Sequence, residues 1–333
     1  MRKMIENKKT SIILILKVLE EFSDENHYLT QQNIIDKVDA LYGIELERKS
    51  VANSLMLLEE LGYDINKGPR GGFALLSRNL EKSEVTFLVD AIFSSKSISG
   101  KQAKELTEKV SSGLSKYDRK SYEYLNKSSE VSRTTNKEVF LTIDLINDAI
   151  KRNKWVGFKY VDYDENGQET LRFDGYEYHR SPCYLVNNFG RYYFLGYGYK
   201  HDGVSAYRLD YMKDVYIMED RERLDPKTLK EFKKYNSFTD YMNDHIYLFD
   251  GDTIEVKMKL NNPSIVKYLY DWFGKNARIY KENDELMATV KCNETAFFYW
   301  AMQYGQHLHI ISPQSMVDLI TLAASEILKQ YNS

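Results

Sequence analysis

The sequence predicts an α+β protein of several domains, and three observations carry this prediction. Residues 10–61 contain three helical patterns, and a glycine-rich turn follows them. Residues 155–211 contain short, tyrosine-rich strand patterns at even spacing, separated by tight turns. Residues 253–331 alternate strand and helix patterns in the order β-α-β-β-α-β-α. A chain of 333 residues is also too long for one ordinary hydrophobic core.

Bulk composition narrows the class of protein. A hydrophobic content of 43% with 29% charged residues is typical of soluble globular proteins. No apolar run reaches the roughly 18 residues needed to span a bilayer, so we expect no membrane partner. The only cysteines, Cys183 and Cys292, lie far apart without metal-type spacing, which favours a reducing cytoplasm. The net charge of −3 means that nucleic-acid binding has to rest on a local surface.

Residues 1–80 are predicted to form a winged helix-turn-helix. Helical patterns cover residues 10–22, residues 31–41 after Thr30 as N-cap, and residues 47–61 before Gly62. The turn at residues 67–72 and the apolar run at residues 73–76 predict a hairpin. Three helices closed by a hairpin have the element order of that fold.

The third helix and the hairpin tip carry side chains that can reach phosphates or base edges: Arg48, Lys49, Ser50, Asn53 and Ser54 on the helix, and Lys67 and Arg70 at the tip. They predict binding to double-stranded DNA. The alternative is that the cations are merely solvated. The turn is not a nucleotide loop, because no Lys-Ser/Thr and no helix follow it. Residues 1–80 hold 11 basic and 12 acidic side chains, so one copy should bind weakly, which favours a homodimer on two half-sites.

Residues 81–136 are predicted as a helical connector, with helices at 84–93 and 101–114 and a polar linker at 126–137. A helix at 141–152 then leads into a domain that covers residues 137–220. Predicted strands at 155–160, 170–179, 181–186 and 191–197, with turns at 164–167 and 187–190, indicate a small, strongly bent β-barrel.

One arginine stands among apolar neighbours at the end of this region. Strand alternation would place three residues on one face and three on the other: Ala206, Arg208 and Asp210 against Tyr207, Leu209 and Tyr211. A guanidinium beside tyrosines suits an anionic or flat ligand, because it offers a planar fork of donors and stacks on aromatic rings. The alternative is an arginine that forms a salt bridge at the sheet edge.

The remaining residues are predicted as a linker and a last domain. Residues 221–252 form the linker, with one helix near 225–235. Residues 253–333 are predicted as a ferredoxin-like unit, with these elements: strands at 253–260, 277–280, 286–292 and 307–311, and helices at 263–272, 294–304 and 313–331.

Several short motifs occur together in a fixed order: Ser181-Pro182, Tyr192-Tyr193-Phe194, Arg208-Leu209-Asp210, Asp271-Trp272-Phe273-Gly274 and Ile311-Ser312-Pro313. In this order they resemble the WYL-domain transcriptional regulators along nearly the whole chain. Three departures stand out. Tyr192 and Phe194 replace the tryptophan and leucine of the family's name, Tyr211 replaces a second arginine, and Asn53-Ser54 replaces a common Arg-Asp pair.

The resemblance implies a winged helix-turn-helix, an Sm-like β-barrel WYL domain and a C-terminal extension called WCX. It also implies that the barrel senses a ligand and controls operator binding by a dimer. Carried over by motif, the pocket residues are Ser181, Tyr193 and Arg208, and strand alternation adds Tyr160 and His179. The expected effector carries phosphate, as a nucleotide or an oligonucleotide-like molecule does. No cofactor is expected.

Two other classes of function compete with this one. An enzyme would need a site, but His307 and His309 have no third metal ligand nearby, and no nucleophile elbow or glycine-rich cofactor fingerprint occurs. We therefore expect no enzyme. The second rival is a single-stranded nucleic-acid-binding protein that uses the barrel, with the N-terminal domain serving dimerisation.

Overall fold

The structure is a computed structural model that describes residues 10–122, 133–201 and 203–332. The chain forms two compact units, Met1–Lys137 and Glu138–Ser333. Most of the predicted linker at 126–137 lies outside the described residues. No helix in the described part of the chain is both long and apolar enough to cross a membrane.

The first unit begins with the three predicted helices, α1 (Ser11–Phe22), α2 (Gln31–Tyr42) and α3 (Arg48–Glu60). Thr30 caps α2 as predicted: its hydroxyl accepts a hydrogen bond from the Asn33 backbone, and the Asn33 side chain accepts one from the Thr30 backbone. The helices share an aliphatic core that includes Ile15, Val18, Ile34, Val38, Val51, Leu55 and Leu58.

The predicted hairpin follows as an antiparallel pair, β1 (Ile65–Lys67) and β2 (Phe73–Leu75). Arg70 lies at its tip with a left-handed φ of 59°. The tyrosine ring of Tyr28 packs against the hairpin so closely that a Cβ at Gly68 would lie 2.2 Å from it. Asn66 also donates a hydrogen bond to the Tyr28 hydroxyl at 3.0 Å. The hairpin is therefore fixed to the segment just before α2.

Among the described residues of the first unit, three more α-helices follow: α4 (Lys82–Ser94), α5 (Gly100–Ser111) and α6 (Lys116–Arg119). Ser99 and Gln102 form a capping box at the start of α5. The predicted helix at 101–114 ends earlier, at Ser111, and α6 was not predicted.

The second unit opens with α7 (Val139–Lys151) and a sheet in which all strand pairs are antiparallel. Its strands are β3 (Lys154–Tyr163), β4 (Glu169–Leu171), β5 (Glu177–Asn188), β6 (Arg191–Gly198), β7 (Gly203–Arg208) and β8 (Met212–Glu222). β3 lies between β5 and β8, and its end pairs with β4. β6 lies between β5 and β7. The sheet curls into a half-barrel, and within the described residues no ladder joins β7 to β8.

Three details of this region differ from the prediction. The return strand at 170–179 is interrupted by a 3-10 turn at Arg172–Gly175, where Phe173 and Asp174 have left-handed φ values. The strand at 181–186 is continuous with the residues before it, and Cys183 is the extra residue of a bulge. Alternation stops at Arg208, because Leu209–Tyr211 forms another 3-10 turn.

Each face of the curled sheet packs against its own core. One face carries an aromatic cluster with Phe158, Tyr178, Phe194 and Tyr207, which packs against α7. The other face packs against residues 221–252, where the structure has a 3-10 turn and two short helices, α8 (Lys230–Lys233) and α9 (Phe238–Asp244), in place of one predicted helix. Residues 221–252 contribute several side chains to this second core, including Leu229, Phe232, Tyr241 and Leu248.

The C-terminal elements follow in the predicted order: β9 (Thr253–Leu260), α10 (Ile265–Phe273), β10 (Ala277–Glu282), β11 (Glu285–Asn293), α11 (Glu294–Tyr304), β12 (Leu308–Ser312) and α12 (Gln314–Tyr331). The antiparallel sheet has the order β10-β11-β9-β12, which is the split β-α-β arrangement. Its core includes Val256, Phe297 and Trp300. Only the beginning of α12 packs on this core, and residues 324–332 are exposed.

Candidate functional site

The solvent face of α3 carries the first group of predicted residues. Val51, Leu55 and Leu58 point into the helical core, so the residues between them face outward. Arg48, Lys49 and Asn53 are all exposed. Neither Arg48 nor Lys49 forms an ion pair with any described residue. The start of α3 therefore presents two uncommitted cations and an amide on one surface.

The other predicted residues of this unit are placed differently. Ser50 is half-buried, and Ser54 is 7% exposed because it lies on the core side of α3. Lys67 is mostly exposed, and its Nζ lies 3.5 Å from Oε1 of Glu59. Arg70 is exposed at the hairpin tip. Pattern reasoning missed Met56, which is 59% exposed and follows Asn53 by three residues on the same helical surface.

Arg208 is held in a fixed position. Its Nε and Nη2 donate hydrogen bonds to the two oxygens of Asp210, at 3.1 and 2.6 Å. Its Cζ lies 3.8 Å from the ring centroid of Tyr211. Burial lowers the pKa of Arg208, but the hydrogen bonds to Asp210 outweigh burial, so the net shift of its pKa is upward. The guanidinium is thus a permanent and preorganised cation.

One edge of this guanidinium remains open. The two N–H groups of Nη1 and one of Nη2 have no hydrogen-bond partner among the described residues, and Nη1 is not sealed from solvent. An edge with parallel N–H groups matches the oxygens of a phosphate or a carboxylate. The ion pair with Asp210 therefore positions Arg208 without using up its donors.

Two further side chains support the same position. Arg191 reaches Asp210 from β6, with its Nη1 3.8 Å from Oδ2, so two arginines share a carboxylate that is 1% exposed. The Tyr160 hydroxyl accepts a hydrogen bond from the Arg208 backbone at 3.0 Å. Burial raises the pKa of Tyr160, which therefore stays a neutral phenol. Alternation had placed Tyr211 on the opposite face, and the 3-10 turn brings it over Arg208 instead.

An aromatic cleft lies beside Arg208. Tyr193 is directly opposite Arg208 in the β6–β7 ladder, so their Cβ atoms are about 5 Å apart. Tyr193 lines a cleft of about 470 Å³, together with Ala206, Tyr247, Leu248, Phe249 and Tyr299. Phe249 and Tyr299 are stacked with their centroids 5.4 Å apart. Because Ala206 precedes Arg208 by two residues on the same strand face, the cleft begins next to the arginine.

Two predicted ligand residues lie elsewhere. Ser181 is fully buried, and its hydroxyl accepts a hydrogen bond from the Leu224 backbone at 2.8 Å. It pairs with Tyr197, four residues from Tyr193, which is about 13 Å along the strand. His179 is half-buried, and its Nε2 lies 3.4 Å from both the Tyr216 hydroxyl and Glu177. The structure groups Tyr160, Tyr193 and Arg208 and leaves His179 and Ser181 apart from them.

The two C-terminal histidines occupy different elements. His307 lies in a 3-10 turn and His309 lies in β12, so the strand predicted at 307–311 begins one residue later and holds only His309. Within the described ranges, no three His, Cys, Asp or Glu side chains are arranged to hold a metal ion.

Comparison with known proteins gives one family match. Residues 142–217 match the family model of the WYL domain, which covers the curled sheet and most of α7 and β8. No curated protein matches the chain significantly.

Solved structures resemble the chain only distantly. Proteasome accessory factor B/C (PafBC) of Arthrobacter aurescens is 16% identical, with a TM-score of 0.31, and the match covers 98% of this chain and 49% of that one. This chain thus spans about half the length of that protein. A CRISPR Cas-related protein is 14% identical, with a TM-score of 0.38, and the match covers 97% of this chain and 84% of that one.

Proposed function

We propose that this protein is a DNA-binding transcriptional regulator. In this proposal, residues 1–80 act as a winged helix-turn-helix, residues 253–333 act as a WCX extension, and the WYL domain senses a phosphate-bearing, nucleotide-like or oligonucleotide-like effector. Effector binding changes the affinity of a homodimer for its operator. The protein acts by binding, and no catalytic step is assigned to it.

One observation carries the DNA-binding part of this proposal: the solvent face of α3 presents Arg48, Lys49 and Asn53 without partners. Cations that have no internal ion pair are available for phosphates, and an amide can read a base edge. Met56 adds an apolar group that suits a thymine methyl. In a winged helix-turn-helix, this helix enters the major groove and the hairpin with Arg70 follows the backbone.

Arg208 and the neighbouring cleft support the sensing part. The open edge of the guanidinium fits a phosphate, and the aromatic walls fit a base that stacks on them. An effector shifts the regulator only if it binds one state more tightly than the other. A preference of 10- to 100-fold corresponds to about 1.4–2.7 kcal/mol, which is enough for a switch.

The exposed part of α12 supports a second copy of this chain as partner. Five large apolar side chains on it are solvent-exposed: Leu319, Leu322, Ile327, Leu328 and Tyr331. Its 18 residues contain only three charges, from Asp318, Glu326 and Lys329. In an antiparallel pair of these helices about a two-fold axis, Glu326 of each copy can face Lys329 of the other. Such an interface is self-complementary.

The DNA-binding proposal is tested by genomic footprinting on host DNA, followed by binding to the recovered site. The parent protein should protect a site with two half-sites. Arg48→Ala with Lys49→Ala should lose this protection, and Lys101→Ala with Lys104→Ala, on exposed positions of α5, should keep it. Protection that survives the α3 substitutions would remove α3 as the DNA-reading helix.

The sensing proposal is tested with 5′-phosphorylated oligonucleotides of two to six nucleotides. We expect them to bind the full chain and to change its operator affinity by about 10-fold or more. Arg208→Lys should weaken this binding because a lysine lacks the fork of donors. Equal affinity for 5′-hydroxyl oligonucleotides would show that Arg208 does not read a terminal phosphate.

The dimer proposal is tested by light scattering. The full chain should have twice the mass of one copy, and Leu322→Glu with Leu328→Glu should give a monomer. Leu171→Glu changes another exposed leucine, on β4, and should leave the mass unchanged. A dimer that persists in the α12 variant would place the interface elsewhere.

A second function, single-stranded nucleic-acid binding, is favoured by a run of aromatic contacts near Arg208. Phe189 contacts both Tyr247 and Trp272, Tyr247 contacts Phe249, and Phe249 stacks on Tyr299. Such a row suits successive bases that stack on it. If single strands bind far more tightly than duplex, and Phe249→Ala with Tyr299→Ala removes binding while the α3 substitutions do not, this second function replaces the first.

A further inference from the structure

A second cavity in the C-terminal unit is lined by several polar side chains, and some of their hydrogen-bonding atoms are unused. It has a volume of about 450 Å³ and is bounded by β7, α8, the end of α9 and residues 250–252. Four side chains matter most to its chemistry: Glu231, Tyr241, His245 and Asp250. Val204 and Ser205 line it from β7, so it meets the sheet several residues before Arg208.

Two carboxylates in this cavity have no basic partner among the described residues. Oε2 of Glu231 is buried and accepts no hydrogen bond from them. Asp250 is solvent-exposed, and its carboxylate accepts only a long hydrogen bond from the Ser205 hydroxyl, at 3.4 Å. Burial raises the pKa of Asp250, and the Glu231 carboxylate adds to this rise. A buried carboxylate oxygen that accepts no hydrogen bond is costly, so a cation that reaches Glu231 should bind favourably, and Asp250 adds a second negative charge beside it.

A buried phenol and a buried imidazole also open into this cavity. Tyr241 is 6% exposed and His245 is 4% exposed. His245 Nδ1 donates a hydrogen bond to the Tyr241 carbonyl oxygen at 2.9 Å, which leaves the lone pair on Nε2. Burial lowers the pKa of His245, so this lone pair is available at neutral pH. Neither Nε2 nor the Tyr241 hydroxyl has a hydrogen-bond partner among the described residues.

The cavity thus contains several hydrogen-bond acceptors, and a ligand with several N–H or O–H donors would satisfy them. Lys230 and Lys234 also line it, but both are exposed, and Lys234 forms no ion pair with Glu231 or Asp250. A metal ion is disfavoured, because no three His, Cys, Asp or Glu side chains in the described ranges are placed to hold one. Ammonium and guanidinium groups carry several N–H donors and need no such geometry.

We propose that this cavity is a second ligand site, which binds a small organic cation through an ammonium or guanidinium group held by Glu231 and Asp250. His245 Nε2 accepts a further N–H of the same group, and the Tyr241 ring closes one wall. The site is separate from the phosphate edge of Arg208, so the protein can bind a cationic and an anionic small molecule at once.

The test uses the full chain with putrescine, agmatine and spermidine as probes. At least one of them should bind saturably in calorimetry and raise the Tm by about 2–6 °C at saturation. 1,4-Butanediol, which has the length of putrescine but no charge, should do neither, and sodium chloride of matched ionic strength should not reproduce the effect. If no probe binds at millimolar concentration, the proposal is overturned.

Variants show whether the carboxylates hold the cation. Glu231→Gln and Asp250→Asn should each weaken probe binding by about 10-fold or more, as expected when a charged hydrogen bond is lost. Without a probe, Glu231→Gln should be at least as stable as the parent, because an unpaired buried charge is removed. Unchanged probe affinity in the double variant would overturn the proposal.

The Arg208→Ala variant separates this proposal from the proposed function. It should bind the amine probe as the parent does and lose the phosphorylated oligonucleotide. If it loses both ligands, the two sites are not independent, and the cavity does not bind cations by itself.

Discussion

The cations of α3 and the arginine at the end of β7 differ in exposure and in ion pairing. Arg48 and Lys49 are exposed and form no ion pair with described residues. Arg208 is bound to Asp210 through two hydrogen bonds and covered by Tyr211. Exposed cations without an ion pair can turn toward a long polyanion whose phosphates lie at many positions. A preorganised guanidinium suits one small anion in one orientation, because little side-chain entropy is left to lose.

The largest expected effect is a loss of folding stability when the carboxylate that fixes Arg208 is removed. Asp210→Ala should destabilise the C-terminal unit by about 2 kcal/mol, because it leaves the half-buried guanidinium of Arg208 without the carboxylate that it binds. Glu59→Ala removes the carboxylate of the exposed pair with Lys67 and should cost less than about 1 kcal/mol.

Denaturant unfolding measures both effects. All three tryptophans, Trp155, Trp272 and Trp300, lie in the C-terminal unit, so their fluorescence reports that unit alone, and circular dichroism follows the Glu59 variant. If the two substitutions cost the same, Asp210 does not hold Arg208 in the way the contacts indicate.

The second effect concerns DNA and salt. Arg48→Ala with Lys49→Ala should lower operator affinity by about 10- to 100-fold, and it should reduce the slope of log affinity against log salt by about 2, since each phosphate contact contributes about 0.9. Lys101→Ala with Lys104→Ala is the matched control and should leave the slope unchanged. A slope that stays constant in the α3 variant would mean that these cations do not contact phosphates.

The third effect is the salt dependence of ligand affinity at Arg208. A ligand that places one phosphate on this guanidinium should show a slope of about 1 or less, against several for the operator. Calorimetric titration between 50 and 300 mM salt gives this value. A slope as steep as that for duplex DNA would mean that Arg208 belongs to an extended polyanion surface and not to a small-ligand site.

The smallest effect is expected for the reactivity of the two thiols near neutral pH. Burial raises the pKa of Cys183 and of Cys292 to about 12, so both should stay protonated and react slowly with iodoacetamide at pH 8. In the unfolded chain these thiols titrate near 9, so their contribution to folding stability should be constant below that pH and should be lost as the pH rises from about 9 to about 12.

The alkylation rate of the thiols also distinguishes ligand binding at Arg208 from DNA binding at α3. Because both cysteines lie in the C-terminal unit, a phosphate ligand at Arg208 should slow alkylation further. Operator DNA that contacts only α3 should slow it less. Rapid labelling of both thiols in the native protein would contradict their burial.

The regular elements could be predicted from the sequence because short-range rules determine them. Thr30 caps α2 through Asn33, Gly62 follows α3, and the α11 boundaries at Glu294 and Tyr304 match the prediction. These positions depend on capping and periodicity, which a single chain segment carries by itself.

The site could be predicted only in part, because its geometry depends on breaks in alternation. Tyr211 covers Arg208 only because Leu209–Tyr211 leaves the strand as a 3-10 turn. Arg191 arrives from another strand, and no local pattern connects it to Asp210. Ser181 carries the expected motif, yet the hydroxyl is used by the Leu224 backbone of a segment that sequence reasoning treated as a linker. Long-range packing decided each of these outcomes.

The twelve-residue strand β5 has a consequence for measuring this domain. Its first residues pair with β3, its remaining residues pair with β6, and the exchange of partners occurs beside the bulge at Cys183. Amide protons of Glu177–Arg180 that bond to β3 therefore report one half of the sheet, and those of Tyr184–Asn188 that bond to β6 report the other. Hydrogen exchange along this one segment would show whether an occupied cleft tightens both halves or only the half next to it.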